Sequence, residues 1–329
     1  MALAENAVGA PMNQTTFNGR VDFVIPHMGR TELLLATLES ISQQSASDRI
    51  DRIVVVTKNR EPLPPVADSR VEVLYHPEAR TISEQRNIGA AVVTAEVLAF
   101  LDADIGLAPD WLAQCLALLF NRPGTALVSA IQAVTRKATQ VECLRTALSN
   151  RAKDTAVQFL PGRNLLLRRT DHERVGGFPE HLQTCEDYYY TEQVSHLGDL
   201  YYTAMTFYYH LGEDKTLAQT FRKEIWRSEY NLKSLSGRRI PIREWPSILL
   251  PFWVALFTLL TVLILVTPWV GLVSMAMALL PAGLYGLRLL RFRPAQVHLG
   301  FPFVFYVVYF WARALGTVTG IRHLFKGLN

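Results

Sequence analysis

Asp102 and Asp104 stand one residue apart at the end of the apolar run Val97–Leu101. Two carboxylates in that position are costly to bury unpaired. A divalent cation bound to a phosphate relieves the cost, because hard oxygen ligands suit Mg2+ or Mn2+. The competing reading is a solvated turn whose Asp caps the next helix. Two more segments follow apolar runs in the same way: His27-Met28-Gly29-Arg30 after Val21–Pro26, and Thr57-Lys58-Asn59 after Ile53–Val56. His210 closes the strand-like run Tyr201–Tyr209, and eight basic residues lie between positions 213 and 244. The plain reading of those charges is a face drawn to anionic lipid, worth about 1 kcal/mol per charge near the surface.

The elements that must carry these residues follow from periodicity. Val21–Pro26, Ile53–Val56, Val71–Tyr75 and Val97–Leu101 read as strands, with Thr31–Gln43 and Ser83–Ala95 as helices between them. Such alternation predicts a mostly parallel α/β sheet, whose ligands bind beyond the carboxyl ends of the strands. The residues named above fall at those ends. The expected division is a domain over 21–212 after a loose tail at 1–20. That tail is polar and small and lacks the apolar core of a secretory signal, so the domain is expected to stay cytosolic.

Composition sets the remainder apart. The chain has 329 residues, 50% hydrophobic and 19% charged, with a net charge of +4. Residues 247–329 contain no Asp or Glu and six basic residues, which leaves 27 basic and 29 acidic residues in 1–246. The positive charge thus belongs to an apolar tail, and nucleic acid is not an expected partner. The three cysteines Cys115, Cys143 and Cys185 have neither metal nor redox spacing and are expected as reduced thiols. From Ser247 to Leu287 no Asp, Glu, Lys, Arg or His occurs in 41 residues. As helix that is roughly 60 Å, twice the hydrocarbon thickness of a bilayer. Thr267-Pro268-Trp269 supplies a breaker and an interfacial aromatic near its middle, so a hairpin of two spans near 248–266 and 270–289 is expected within 247–290. Arg238, Arg239 and Arg243 precede it and Arg288, Arg291 and Arg293 follow, which puts both outer ends in the cytoplasm of a cell whose inner membrane holds the chain. The last stretch, 291–329, reads either way. A full crossing leaves Arg322 and Lys326 outside and carries Arg313 in its middle, which favours an interfacial helix. The recurrence of Ala312, Gly316 and Gly320 instead suits close packing between membrane helices.

The motifs, taken together, resemble a known family. Leu98–Asp104 closely resembles the metal-binding motif of family 2 glycosyltransferases of the GT-A fold. Arg86-Asn87-Ile88-Gly89 looks like that family's helix start, and Val24-Ile25-Pro26 like its first strand and donor-site turn. Val175–Glu180 resembles its GGF segment, followed at a similar distance by Thr184-Cys185-Glu186-Asp187. The resemblance covers roughly residues 20–230. It implies a GT-A domain that transfers a sugar from a nucleotide-sugar with inversion. Such a displacement needs a base for an acceptor hydroxyl and positive charge for the departing diphosphate. By the same resemblance Asp187 matches the base, with Glu186 as its helper. Asp104 matches the metal ligand, Asp102 the carboxylate reaching the ribose or the metal's water, and His210 a residue able to complete the Mg2+ or Mn2+ site. Pro26, Arg30, Thr57 and Arg86 fall in the donor region. Arg222, Trp226 and Arg227, within the basic segment 213–246, resemble a gating segment that closes over the diphosphate.

Two departures bear on specificity. Thr57-Lys58-Asn59 stands where many relatives carry an Asp that contacts the nucleobase, so the donor base stays open. The order Gln219, Arg222, Trp226, Arg227 is not the QxxRW of processive synthases, and two or three apolar segments are few for a translocation channel. The expected activity is therefore transfer to a lipid or lipid-linked acceptor at the membrane face. The alternatives are a polyprenyl-phosphate acceptor, a processive synthase and an inactive scaffold.

Overall fold

The computed structural model describes residues 17–232 and 242–325. Strand β1 (Val21–His27) lies between β2 (Ile50–Thr57) and β4 (Val97–Leu101), parallel to both, and β3 (Val71–Tyr75) extends this half beyond β2. Helices α1 (Thr31–Ser42) and α2 (Ile82–Val92) make the crossovers. Every residue of β1 and β4 is buried, as expected of parallel strands covered on both faces. Phe23 and Ile25 pack with Leu34 and Trp111 on one side, while Val24, Leu98 and Phe100 pack with Phe178 and Tyr190 on the other.

The sheet turns mixed after β4. Strand β8 (Asn164–Arg168) pairs antiparallel with both β4 and β6 (Thr125–Ala133). The long β9 (Asp199–His210) runs parallel to β6 and carries β5 (Ile105–Leu107) and β7 (Thr155–Val157) antiparallel. Among the described residues these nine strands form one sheet in the order β3-β2-β1-β4-β8-β6-β9-β5, with β7 also on β9. Helices α3 (Trp111–Asn121), α4 (Gln140–Ser149), α5 (Arg169–Val175), α6 (Glu186–Ser195) and α7 (Leu217–Glu229) complete this half. Reciprocal caps start α4, through Thr139 and Glu142, and α7, through Thr216 and Gln219.

Three apolar helices follow: α8 (Trp245–Leu260), α9 (Pro268–Leu290) and α10 (Phe301–Phe325). A 3-10 turn over Thr261–Leu265 prolongs α8, and Pro268 opens α9, where its missing N–H costs nothing. Trp245–Leu265, Pro268–Leu290 and Phe301–Ile321 are each long and apolar enough to cross a membrane, with mean hydropathy falling from 2.6 through 1.8 to 1.4. One end of the domain is longer than its expected bound. Phe17 stacks on Phe120 with centroids 4.4 Å apart, so packing begins before position 20. The remainder of the expected tail, Arg238, Arg239 and Lys326 lie outside the described residues, as do the side chains of Arg243 and Arg322.

The small-residue stripe of α10 has a different partner from the one its spacing suggested. A Cβ on Gly316 would overlap the Ile225 carbonyl oxygen, and one on Gly320 the carbonyl of Glu229. The stripe therefore seats α7, a helix of the sheet-bearing half. The first half of α10 is held equally firmly. Phe305, Tyr306 and Phe310 share one buried cluster with Val141 and Leu144 of α4, Val254 of α8 and Leu289 of α9. The N–H of His298, just ahead of α10, donates to Oε1 of Gln140 at 2.9 Å.

Gly316→Leu should accordingly be badly tolerated, costing about 1–3 kcal/mol as overpacking usually does. Gly283→Leu, where a Cβ meets open space, is the control. Thermal unfolding in detergent should separate them clearly. Equal losses at the two sites would show that the α7–α10 contact contributes nothing.

Candidate active site

Arg86 on α2 is fully buried among acceptors. Its Nη2 donates to Asp102 Oδ1 at 2.8 Å and to the Gly162 carbonyl at 3.1 Å, and its Nη1 donates to Glu186 Oε1 at 3.2 Å. The guanidinium also lies 4.9 Å from the centroid of the Phe178 ring. The next residue, Asn87, holds the same loop by its backbone: its Nδ2 donates to the Phe178 carbonyl and its Oδ1 accepts from the Phe178 N–H, at 2.9 and 2.8 Å. The two sequence motifs Arg86-Asn87 and Gly176-Gly177-Phe178 are thus halves of one clamp. It sets the end of β4 against the start of α6.

Asp104 belongs to a second cluster. The antiparallel register Ile105↔His210 between β5 and β9 brings His210 Nε2 to 3.4 Å from Asp104 Oδ1. Arg30, in the left-handed conformation before α1, reaches Asp104 Oδ2 at 2.9 Å. Nδ1 of His210 faces Glu213 Oε2 at 3.0 Å. Burial opposes ionisation of Asp104, but the hydrogen bond and charge of His210 and the charge of Arg30 outweigh it and hold the pKa below the ordinary value. For Asp102 burial wins and Asp104 adds to it, so its pKa is raised although Arg86 opposes. Burial likewise depresses His210, yet its two carboxylate partners prevail and raise its pKa.

The expected metal set therefore divides. Asp104 and His210 stand together, whereas Asp102 is taken by Arg86, whose buried charge requires a partner. Among the described residues no three His, Cys, Asp or Glu side chains form a cage. A carboxylate held ionised beside an imidazole still suits a divalent cation that draws its other ligands from a diphosphate and water. Gly212 leaves room for the side chains of this wall: a Cβ there would overlap Asp104 Oδ2 and the Arg30 guanidinium.

Asp187 and Glu186 open α6 across the same cleft, whose volume is about 1480 Å³. Asp187 Oδ2 accepts from the Gly162 N–H at 3.2 Å and Oδ1 from the Tyr188 N–H at 2.8 Å. Its carboxylate is held by backbone amides at a helix start, where the dipole favours negative charge. Burial and the adjacent Asp187 raise the Glu186 pKa to about 7, against the pull of Arg86.

Pro26, Arg30, Arg86, Trp226 and Arg227 all line this cleft, but Thr57 and Arg222 do not. Thr57 is fully buried, its Oγ1 lying 2.9 Å from Nδ1 of His27 and accepting from the Asn59 N–H at 3.0 Å. Its neighbour Lys58 lines the cleft instead. Arg222 is exposed on α7, because the helix phase turns Lys223 and Arg227 inward. Those two do not act as a solvated basic face. Lys223 Nζ lies 3.4 Å from Asp214 and Arg227 Nη1 2.8 Å from Glu224. Arg145 of α4 meets Glu213 at 2.7 Å and Asp214 at 3.5 Å, extending the network to the wall behind His210. Sequence reading missed Glu213, Arg145 and Lys223, since only the fold brings α4, β9 and α7 together. His27, which the sequence offered only as part of the segment after the first strand, has a buried Nε2 with no hydrogen-bond partner among the described residues.

A mixed sheet whose parallel half ends on Asp102-Ala103-Asp104, faced across one cleft by Glu186-Asp187, defines a GT-A-like domain followed by three apolar helices. Residues 22–176, a little under half of the chain, match the model of Glycosyl transferase family 2. A pre-mycofactocin glycosyltransferase of Mycobacterium tuberculosis strain CDC 1551 is 28% identical over 127 residues, which are 36% of this chain and 27% of that protein. The same match is found in strain H37Rv. The chain thus spans about a quarter of the length of these curated relatives. Among solved structures, the mannosyltransferase PcManGT of Pyrobaculum calidifontis, in complex with GDP-Man and Mn2+, superposes with a TM-score of 0.61. The match covers 93% of this chain and 88% of that one at 18% identity, a likeness of fold.

Two substitutions test this geometry. An acid with a raised pKa stabilises the folded state fully below its ordinary value, here 4.5, and the contribution is lost as pH rises through about 7. Glu186→Gln, neutral throughout, should flatten the fall of Tm with pH across that window in detergent. An unchanged slope would remove Glu186 from this account. Gly212→Ala should leave Tm nearly unchanged while weakening Mn2+-dependent nucleotide-sugar binding by about 10–100-fold, as lost support of a metal ligand commonly does. Wild-type affinity in that variant would show that Asp104 does not hold the cation.

Proposed function

We propose that this chain is an inverting glycosyltransferase that moves a sugar from a nucleotide-sugar to a lipid or lipid-linked acceptor at the cytoplasmic face of a membrane. The observation that carries the reading is the composition of one cleft. Arg30, Asp104 and His210 occupy one wall and Asp187 another, and Tyr309 and Arg313 of α10 complete it. Donor chemistry and an apolar helix therefore share a single space. In this reading Asp187 Oδ2 takes the proton of the acceptor hydroxyl as its oxygen attacks the anomeric carbon. Arg30, Lys223 and Arg227 draw the leaving diphosphate by charge. Asp104 and His210 would hold Mg2+ or Mn2+, which supplies further positive charge to that diphosphate when bound. The complex of the similar Pyrobaculum protein with GDP-Man and Mn2+ favours a nucleotide-sugar donor and a divalent cation here.

The third helix supports a surface position for the site. Both halves of α10 pack on the catalytic half, through α4 and α7. Its outward residues Val304, Leu315 and Val318 are each about half exposed. A helix with one face on the domain and an apolar stripe on the other suits the membrane plane.

Asp187→Asn is nearly isosteric, so nucleotide-sugar affinity should survive while turnover falls by ~10²–10⁴-fold, the usual worth of a general base. Donors should be screened in membranes with Mn2+ and with chelator. Undiminished transfer in excess chelator, or equal turnover by the variant, overturns the assignment.

A further inference from the structure

A second cavity of about 300 Å³ continues from Asp187 toward the apolar helices. Phe159, Tyr188, Ser247, Ile248, Arg313 and Thr317 supply much of its wall. Arg313 is a cation in the middle of an apolar helix, and such a residue is expensive to keep there without a role. Its Nη1 donates to the Tyr309 hydroxyl at 3.1 Å, and its Nη2 to the Ser247 carbonyl and Oγ at 3.1 and 3.0 Å. Among the described residues no Asp or Glu lies within ion-pair distance of it. The guanidinium is thus oriented by neutral hydrogen-bond partners, and Glu224 acts on it only by charge from beyond ion-pair distance. One turn on, Thr317 is 2% exposed, and its Oγ1 has no hydrogen-bond partner among the described residues. A buried hydroxyl without a partner carries a desolvation cost that a ligand oxygen would relieve. Spaced four residues apart, the two side chains share one face of α10. Glu244, also in the wall, accepts from the Tyr188 hydroxyl at 2.6 Å. Around this polar pair the surface is apolar: Phe159 and Ile248 line the cavity, and Trp245, Leu249 and Leu315 are exposed nearby on α8 and α10.

We propose that Arg313 and Thr317 form the subsite for the phosphate of a lipid phosphate ester, whose hydrocarbon chain leaves along α8 and α10. The planar fork of Arg fits two phosphate oxygens, and the Thr317 hydroxyl donates to a third. This deepens the proposed function and rests on it, because it names the head group of the acceptor. The phosphate sits beside Asp187, so the oxygen that attacks the sugar is either the phosphate's own or a hydroxyl of a sugar borne on it.

The full chain in nanodiscs made of neutral lipid tests this. Four probes are compared: a long-chain prenyl phosphate, the matching prenyl alcohol, a prenyl diphosphate-linked sugar and inorganic phosphate. The wild type should bind a phosphorylated lipid and neither the alcohol nor inorganic phosphate at the same concentration. Arg313→Gln should weaken that binding roughly tenfold or more, the worth of a charge-assisted hydrogen bond. Thr317→Val, nearly isosteric and safe for folding, should weaken it by a smaller factor. In both variants the acceptor KM should rise while metal-dependent donor binding stays at the wild-type level. The prenyl phosphate and the diphosphate-linked sugar compete for this subsite, and whichever accepts sugar identifies the nucleophile. Equal lipid binding by wild type and both variants overturns the subsite. Arg313-dependent binding of inorganic phosphate as tight as that of the lipid overturns the lipid assignment. Failure of donor binding in the wild type instead overturns the parent reading.

Discussion

A guanidinium buried among two carboxylates, a carbonyl and an aromatic face draws four distant segments of chain to one point. Arg86 comes from α2, Asp102 follows β4, Gly162 precedes β8 and Glu186 begins α6. Leaving such a buried charge unpaired costs ~3–5 kcal/mol, so each partner is fixed by the needs of the others. The distance between the two carboxylate pairs of the cleft follows from this arrangement. Asp104 and Asp187 owe their separation to a residue that has no place in the chemistry proposed for them. The opposed shifts of Asp102 and Asp104 have the same origin, since Arg86 leaves Asp104 to Arg30 and His210.

Much of this was legible in the residues. The parallel half of the sheet was readable because its strands are apolar runs with turn residues between them, and the hairpin because 41 uncharged residues have few alternatives. The mixed half was not. Strand β9 takes its place by pairing with β5, β6 and β7, and no local pattern encodes partners so far apart in sequence. For the same reason His210 could be proposed, but its bond to Glu213 and the link onward to Arg145 could not. Helix phase explains the error at α7: with 3.6 residues per turn, Lys223 and Arg227 share a face and Arg222 falls outside it. Thr57 was misplaced because a strand end names a neighbourhood, whereas a hydroxyl turns to whichever acceptor the fold supplies.

The small residues of α10 show how one signal can serve a different contact. Their four-residue spacing permits close approach of a helix whatever that helix belongs to. Here the partner is α7, which also carries Lys223, Trp226 and Arg227 into the cleft. The apolar segment and the proposed diphosphate-binding cations are thus two sides of one packed pair, and Arg313 on the same helix lines the second cavity.

That shared packing also alters what counts as a unit of folding. Val141 and Leu144 of α4 are buried against Phe305, Tyr306 and Phe310, and Leu217 of α7 packs on the same cluster. Cutting the chain ahead of α8 would strip these residues of cover and leave a broad greasy face on what sequence alone marks as an independent soluble half. The sheet-bearing half then depends on the apolar helices for cover as well as for contact. Recombinant work on it calls for the whole chain, kept in amphiphile from the first step of extraction.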